Sequence, residues 1–420
     1  MVRIKEDVKY EQIKSLPYLI CLSLIWIYVG AFRSWIMPSL SNYLYFAHVP
    51  ILIVFWIRTM RANLTKISVL SLIMCLLVIF QIFHIIIGNI DLVSGIYGLI
   101  SYETPLIFIS IYNRYELNDH DLTRLTSCLL LTLPVNLVVV YFQVILRTPN
   151  LQKVEFTDAA LLGTSNRIVR ATGTFTSSAG FSFYIIFLWL ILYVATNRNI
   201  FHKSMSFIFA IILSILTLIS GSRTILFFMA LNLIVLLFTR DRKVKVTTKS
   251  FGFKLIIVTS LVVAYKVFTT SNVPVLYSFF QRISYASRTE NTYQRVVNAF
   301  IEPFKIFQNS TIFGHGLGSF GRGSLGYRSN LWVENDLSKN ILECGLVIGG
   351  FVIVLRLIIA ARFVLLAKQY WVPKRTESLM AAITFVPIIV SGQITNQGSL
   401  LLGLCLCASL VLKLIQSGYK

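Results

Sequence analysis

Long apolar runs separated by short polar stretches make up most of this chain. A helix needs around 20 residues to cross a hydrocarbon core of about 30 Å. About twelve stretches approach that length. They lie near 16–36, 40–57, 67–88, 91–112, 124–146, 178–196, 204–220, 223–239, 252–270, 337–364, 378–395 and 398–417. Only Gly221 and Ser222 separate the pair at 204–220 and 223–239, which predicts a tight helical hairpin. The pattern predicts an all-α polytopic membrane protein, with 1–420 forming a single integral membrane domain. No soluble domain, low-complexity segment or internal repeat stands out. The first apolar stretch follows a polar tail without an A-x-A-like cleavage site, so it reads as a retained span.

Composition supports the same class. Of 420 residues, 56% are hydrophobic and only 13% charged, and the mean hydropathy is +0.75. Soluble domains carry roughly 25% charged residues. The net charge of +21, from 38 Lys+Arg against 17 Asp+Glu, could be taken for nucleic-acid binding. The positive-inside rule is the better account. The N-terminal tail, the loops after the second, fourth, sixth, eighth and tenth stretches, and the C-terminus are all basic. The loop after the eighth is the densest, with Arg240, Arg242, Lys243, Lys245, Lys249 and Lys254. All of these fall on one side, so both termini are expected in the cytoplasm of a multi-pass protein, with no nucleic-acid partner. The six cysteines lie in apolar segments without metal or redox spacing, and are expected to pack rather than react.

Two large loops, at about 147–177 and 270–336, fall on the opposite face and are basic against the topological trend. The first carries Arg170 and the second Arg288 and Arg295, while Arg223 borders the 221–222 turn on the same side. Arginine presents a planar fork that matches phosphate oxygens, so the cluster points to an anionic ligand. Ordinary loop cations are the alternative for each arginine taken singly. Arg170 precedes Ala-Thr-Gly-Thr-Phe and then the small residues Ser177, Ser178, Ala179 and Gly180, where a helix opens and backbone N–H groups stand free for an anion. Arg223 sits at a membrane boundary, where a cation needs a partner or a polar cavity. Arg295 begins the amphipathic stretch RVVNAFIEPFKIF, expected to lie flat on the membrane with a kink at Pro303.

Farther along the second loop come Gly314-His315-Gly316-Leu317-Gly318 and then Glu334-Asn335-Asp336. The glycines signal tight turns. They do not follow a strand, which excludes a dinucleotide fingerprint. His315 is either a general base or an ordinary loop histidine. Asn335 or Asp336 is expected to cap the tenth span. Glu334 would then stand at the water–lipid boundary, where burial raises a carboxylate towards the range useful for proton abstraction. Glu343 and Glu103 fall inside spans and are expected to pair, hydrogen-bond or face a cavity.

In order and spacing these pieces resemble the bacterial O-antigen ligase and O-antigen/exopolysaccharide polymerase superfamily. The parts are Arg170-x-x-Gly173-x-Phe175, Ser-x-Ser-Arg223, Arg295 with its apolar helix, Gly314-x-Gly316-x-Gly318, and Asn335 followed by Glu343-x-Gly345. They cover roughly 160–350. The resemblance implies a GT-C-type fold in the bacterial inner membrane, with the two loops as its active-site face. It implies inverting, metal- and cofactor-independent glycosyl transfer from a glycan on undecaprenyl pyrophosphate. Arg170, Arg223 and Arg295 would hold the pyrophosphate, helped by Arg288, His315 and Asn335, and Glu334 would act as base. Ligases of the family carry histidine where Glu334 stands, which favours a polymerase, with ligation to lipid A-core as the alternative. A chain-length regulator and a flippase are the expected partners. An alternative of another class is a transporter or flippase for lipid-linked glycan.

Overall fold

The computed structural model describes residues 15–61, 69–87, 92–112, 114–115, 117–146, 171–220, 222–239, 292–320, 333, 335–369, 375–395 and 398–417. Its regular structure is entirely helical among these residues. The helices are α1 (Leu16–Ala31), α2 (Ser41–Leu44), α3 (His48–Arg61), α4 (Val69–Ile87), α5 (Leu92–Tyr112), α6 (Asp119–Val140), α7 (Ser178–Asn197), α8 (Lys203–Ser220), α9 (Arg223–Phe238), α10 (Thr292–Asn309), α11 (Asp336–Gln369), α12 (Arg375–Ser391) and α13 (Gly398–Ser417). Seven described helices are long and apolar enough to cross a membrane, so the chain is a multi-pass membrane protein. The span expected at 252–270 lies outside the described residues.

One expected span is shortened. The stretch at 40–57 divides into the single turn α2, a turn at 45–47, and the 14-residue α3. Pro50 falls in the first turn of α3, where its missing N–H breaks no helical bond. Helices α8 and α9 follow one another across the break between Ser220 and Arg223, but they do not pack along each other as a tight hairpin would; both pack on α7 instead.

Helix α7 is the centre of the bundle. Its sequence SAGFSFYIIFLWLILYVATN is apolar almost all round, and 83% of its membrane window is buried. A helix without a polar face gains most when neighbours enclose it, and α6, α8, α9, α12 and α13 all pack on it. The Ser177 hydroxyl accepts the Gly180 N–H at 3.1 Å and caps the helix. Asn118 does the same for α6, accepting from Asp121 N–H at 2.7 Å. On the periphery Phe80, Phe83 and Ile86 of α4 and Val354, Ile358 and Leu365 of α11 are exposed. In a membrane that is the lipid-facing surface.

The segment just after Arg170 is latched to α1 and to the end of α6. The Gln143 carboxamide accepts from the N–H groups of Thr172 (3.2 Å) and Gly173 (3.0 Å). It donates to Thr172 Oγ1 (3.0 Å) and to the Gly173 carbonyl (2.9 Å). Asn136 Oδ1 accepts the Thr174 N–H at 3.1 Å, and Thr174 Oγ1 donates to the Ile27 carbonyl at 2.6 Å. Gln143→Leu would strand two buried N–H groups, each costing about 1–3 kcal/mol. A clear drop in thermal stability in detergent is expected, together with protease sensitivity near residue 171. An unshifted melting curve would show that the latch is not needed.

Candidate functional site

The tenth span is not one straight helix. Inside α11, Gly345 has φ 76° and ψ −178°. That is backbone open to glycine and almost closed to other residues. In a continuous helix Asp336 and Arg356 would stand about 30 Å apart. Instead Arg356 Nη1 donates to Asp336 Oδ2 at 2.6 Å. Residues 336–344 therefore form a half-helix that folds back along the span beginning at 346. Asn335 still caps, its Oδ1 accepting from Leu337 N–H at 3.1 Å. The cap is not at the outer mouth of a straight span, as its sequence position implied. It neighbours Asp336, which lies beside a residue about 16 Å along the helix past the break.

The fold-back gathers a buried polar network that sequence reasoning missed. Asp336, Lys339, Asn340 and Glu343 line the half-helix, and all are buried. Arg356 also donates through Nε to the Ile389 carbonyl (2.9 Å) and through Nη2 to the Gly392 carbonyl (2.9 Å). Thr395, between α12 and α13, donates to Asp336 Oδ1 from its N–H (3.1 Å) and its hydroxyl (2.6 Å). Lys339 Nζ donates to the Thr395 carbonyl (3.1 Å) and lies 3.8 Å from Glu343 Oε1. Tyr102 of α5 reaches Asn340 Oδ1 (2.8 Å) and Glu343 Oε2 (3.2 Å) through its hydroxyl. Formally two cations face two anions. Charges out of water persist only when paired and hydrogen-bonded in this way. Among the described residues Asn340 Nδ2 and Ser338 Oγ have no partner and stand available to an acceptor.

The glycine-rich loop is built onto this half-helix. His315 N–H donates to the Leu342 carbonyl (2.8 Å), Gly316 N–H to the Glu343 carbonyl (3.0 Å), and Leu346 N–H to the Thr311 carbonyl (3.2 Å). Phe320 N–H donates to Glu343 Oε1 at 3.0 Å. On its other side the loop lies against α5. A Cβ on Gly318 (φ 83°) would overlap the Ser94 carbonyl, and one on Gly98 would meet the Gly318 N–H nitrogen at 2.8 Å. The turns predicted for these glycines are present, with a second purpose: they let a loop slide between two helix backbones.

The sequence-predicted site residues divide as follows. His315 and Asn335 belong to the loop and half-helix unit. The His315 ring is exposed and stands edge-on to Phe320, with centroids 5.5 Å apart. Arg295 lies on α10, which packs on α11; its side chain is outside the described residues. The exposed residues of α10 and the turn after it include Ile301, Phe304, Phe307, Ile312 and Phe313, in keeping with an amphipathic surface helix. Pro303 lies within the helix. Arg223 is the first, exposed residue of α9, a helix that packs on α12 and α7. Arg170, Arg288 and Glu334 lie outside the described residues. Glu343 is paired as expected, but Glu103 is buried with both carboxylate oxygens unpartnered among the described residues. All six cysteines lie on helices, and the five whose side chains are described are free thiols. No described group of three or more His, Cys, Asp or Glu is arranged to hold a metal ion.

A scan against protein-family models finds no match, and a search of curated proteins finds no match. The likeness to the ligase and polymerase superfamily therefore rests on the sequence motifs.

Proposed function

We propose that the protein is a membrane glycosyltransferase of the GT-C type that polymerises glycan units carried on undecaprenyl pyrophosphate. The observation that carries this reading is the assembly of loop 311–320, Asn335, Glu343 and Gly345 into one hydrogen-bonded unit beside α10, the helix of Arg295. Motif pieces separated by tens of residues thus share one structural unit. The acceptor hydroxyl attacks the anomeric carbon of the donor, and its proton passes to Glu334. The bond to the pyrophosphate oxygen breaks, and undecaprenyl pyrophosphate leaves with the electron pair, inverting the centre. Arg170, Arg223 and Arg295 stabilise the charge developing on the leaving group, the kind of contact worth about 10²–10³ in rate for each donor removed.

Arg295→Ala is expected to lower chain extension by at least about 100-fold while the protein still inserts in the membrane. Polymer of normal length from that variant would sink the proposal. Purified protein given lipid-linked glycan alone separates polymerase from ligase, because polymer made without a lipid A-core acceptor excludes ligation as its sole activity. A second reading is favoured by the half-helix itself. Transporters place such broken helices and their charged groups inside the membrane. Movement of lipid-linked glycan between leaflets of proteoliposomes, without new glycosidic bonds, would support that reading instead.

A further inference from the structure

A cavity of about 170 Å³ runs below the polar network between α4, α5, α11, α12 and α13. Its walls reach from Tyr102 and Thr395 at one end to Tyr112, Arg362 and Leu366 at the other. Tyr102 and Tyr112 lie ten residues apart on α5, so the cavity is a slot about 15 Å long. For comparison, an engineered apolar cavity of about 150 Å³ stays dry and takes up benzene. The slot therefore has room for hydrocarbon and a shape that suits one narrow chain rather than a ring system.

The two ends differ. At the Tyr102 end, Gln81 borders the slot, 1% exposed and with both amide atoms unpartnered among the described residues. At the other end Arg362 is exposed and makes no ion pair among the described residues. Nearby, outside the lining, Lys413 stands over the ring of Tyr112, 4.7 Å from its centroid, and donates to the Tyr115 carbonyl at 3.0 Å. This is the end of α11 that runs into Lys368, Lys374 and Arg375, the cytoplasmic side by the positive-inside rule. A cation above an apolar slot at that level suits an anionic phosphate with a hydrocarbon chain.

We propose that the slot holds one acyl chain of an anionic phospholipid from the cytoplasmic leaflet, with its phosphate at Arg362. The chain lies alongside Phe363 and Leu404 and stops short of Gln81, whose amide is satisfied by water. The occupant joins α5, α11 and α13, the helices that carry Tyr102, the half-helix and the approach to Thr395. It is distinct from any lipid-linked glycan, which the proposed reaction takes from the opposite leaflet.

Native mass spectrometry of the full-length protein tests this, after exchange into detergent and titration with phosphatidylglycerol, phosphatidylcholine or undecaprenyl phosphate. Phosphatidylglycerol is expected to be retained at least tenfold better than phosphatidylcholine. Arg362→Gln should abolish that preference, and Ala408→Phe, which fills the slot, should abolish retention of both. Unmodified protein supplies an independent readout. Phosphatidylglycerol with a diazirine in its chain should cross-link to Phe363 or Leu404 rather than to the lipid-facing Ile358 and Leu365. The proposal is overturned if no lipid is retained, if Ala408→Phe retains it normally, or if cross-links stay on the outer face. Preferential retention of undecaprenyl phosphate would also overturn it, and would assign the slot to a polyprenyl chain.

Discussion

Replacing Arg356 by alanine is expected to destabilise the protein by about 3–5 kcal/mol, the usual cost of leaving a buried charge without its partner. The side chain is 8% exposed, and three of its nitrogens donate to Asp336, Ile389 and Gly392. Its loss leaves the buried Asp336 carboxylate with Thr395 as its remaining donor among the described residues. It also frees the backbone carbonyls at the end of α12. The half-helix should then detach from the span it folds against. Thermal unfolding of the detergent-purified variant, followed by loss of the monodisperse peak, measures the effect. Adding Asp336→Asn to Arg356→Ala removes the stranded charge and should recover part of the loss, because most of the penalty belongs to the unpaired ion and not to the missing attraction. Wild-type stability in Arg356→Ala would show that the network does not hold the half-helix in place.

The second large effect is expected at Gly345. A Cβ there would overlap the Ile312 carbonyl oxygen, and the backbone lies in a region that side chains rarely tolerate. Strain costs about 1–3 kcal/mol, and forcing the loop aside costs a similar amount, so Gly345→Ala should lose roughly 3 kcal/mol or more. Gly350 is the control. It lies in the same helix with open space where a Cβ would go, so Gly350→Ala should be neutral or stabilising by up to about 1 kcal/mol. If the proposed function is right, Gly345→Ala also loses polymerisation, because loop 311–320 hangs on the carbonyls of Leu342 and Glu343. Equal stability of the two variants would remove the argument that this break is built for glycine.

Much of the architecture was legible in the sequence. Apolar length placed the spans, the Gly221–Ser222 pair marked the break between α8 and α9, and Ser177 and Asn335 announced helix starts through the backbone N–H groups they accept. Those signals are local: each depends on residues within a turn or two. The candidate site was legible only in part. The need of Glu343 for a partner was clear from a carboxylate in an apolar run, and acidic, basic and amide residues at 336, 339, 340 and 343 lie three or four apart, on one helical face. Their partners were not readable, because Tyr102, Arg356 and Thr395 come from three different elements and the period of a straight helix points Arg356 away.

By itself, then, the sequence determined a multi-pass helical membrane protein and a polar glycine-rich loop beside a capped helix start. These follow from hydropathy, periodicity and capping, which act over short distances along the chain. Only the tertiary structure decided that the tenth span folds back at Gly345, that Asp336 meets Arg356 and Thr395, and that a narrow slot opens beneath them. A single residue with positive φ reverses the direction of everything after it. Which charges then meet is set by packing between helices distant in sequence, where no local pattern carries the information.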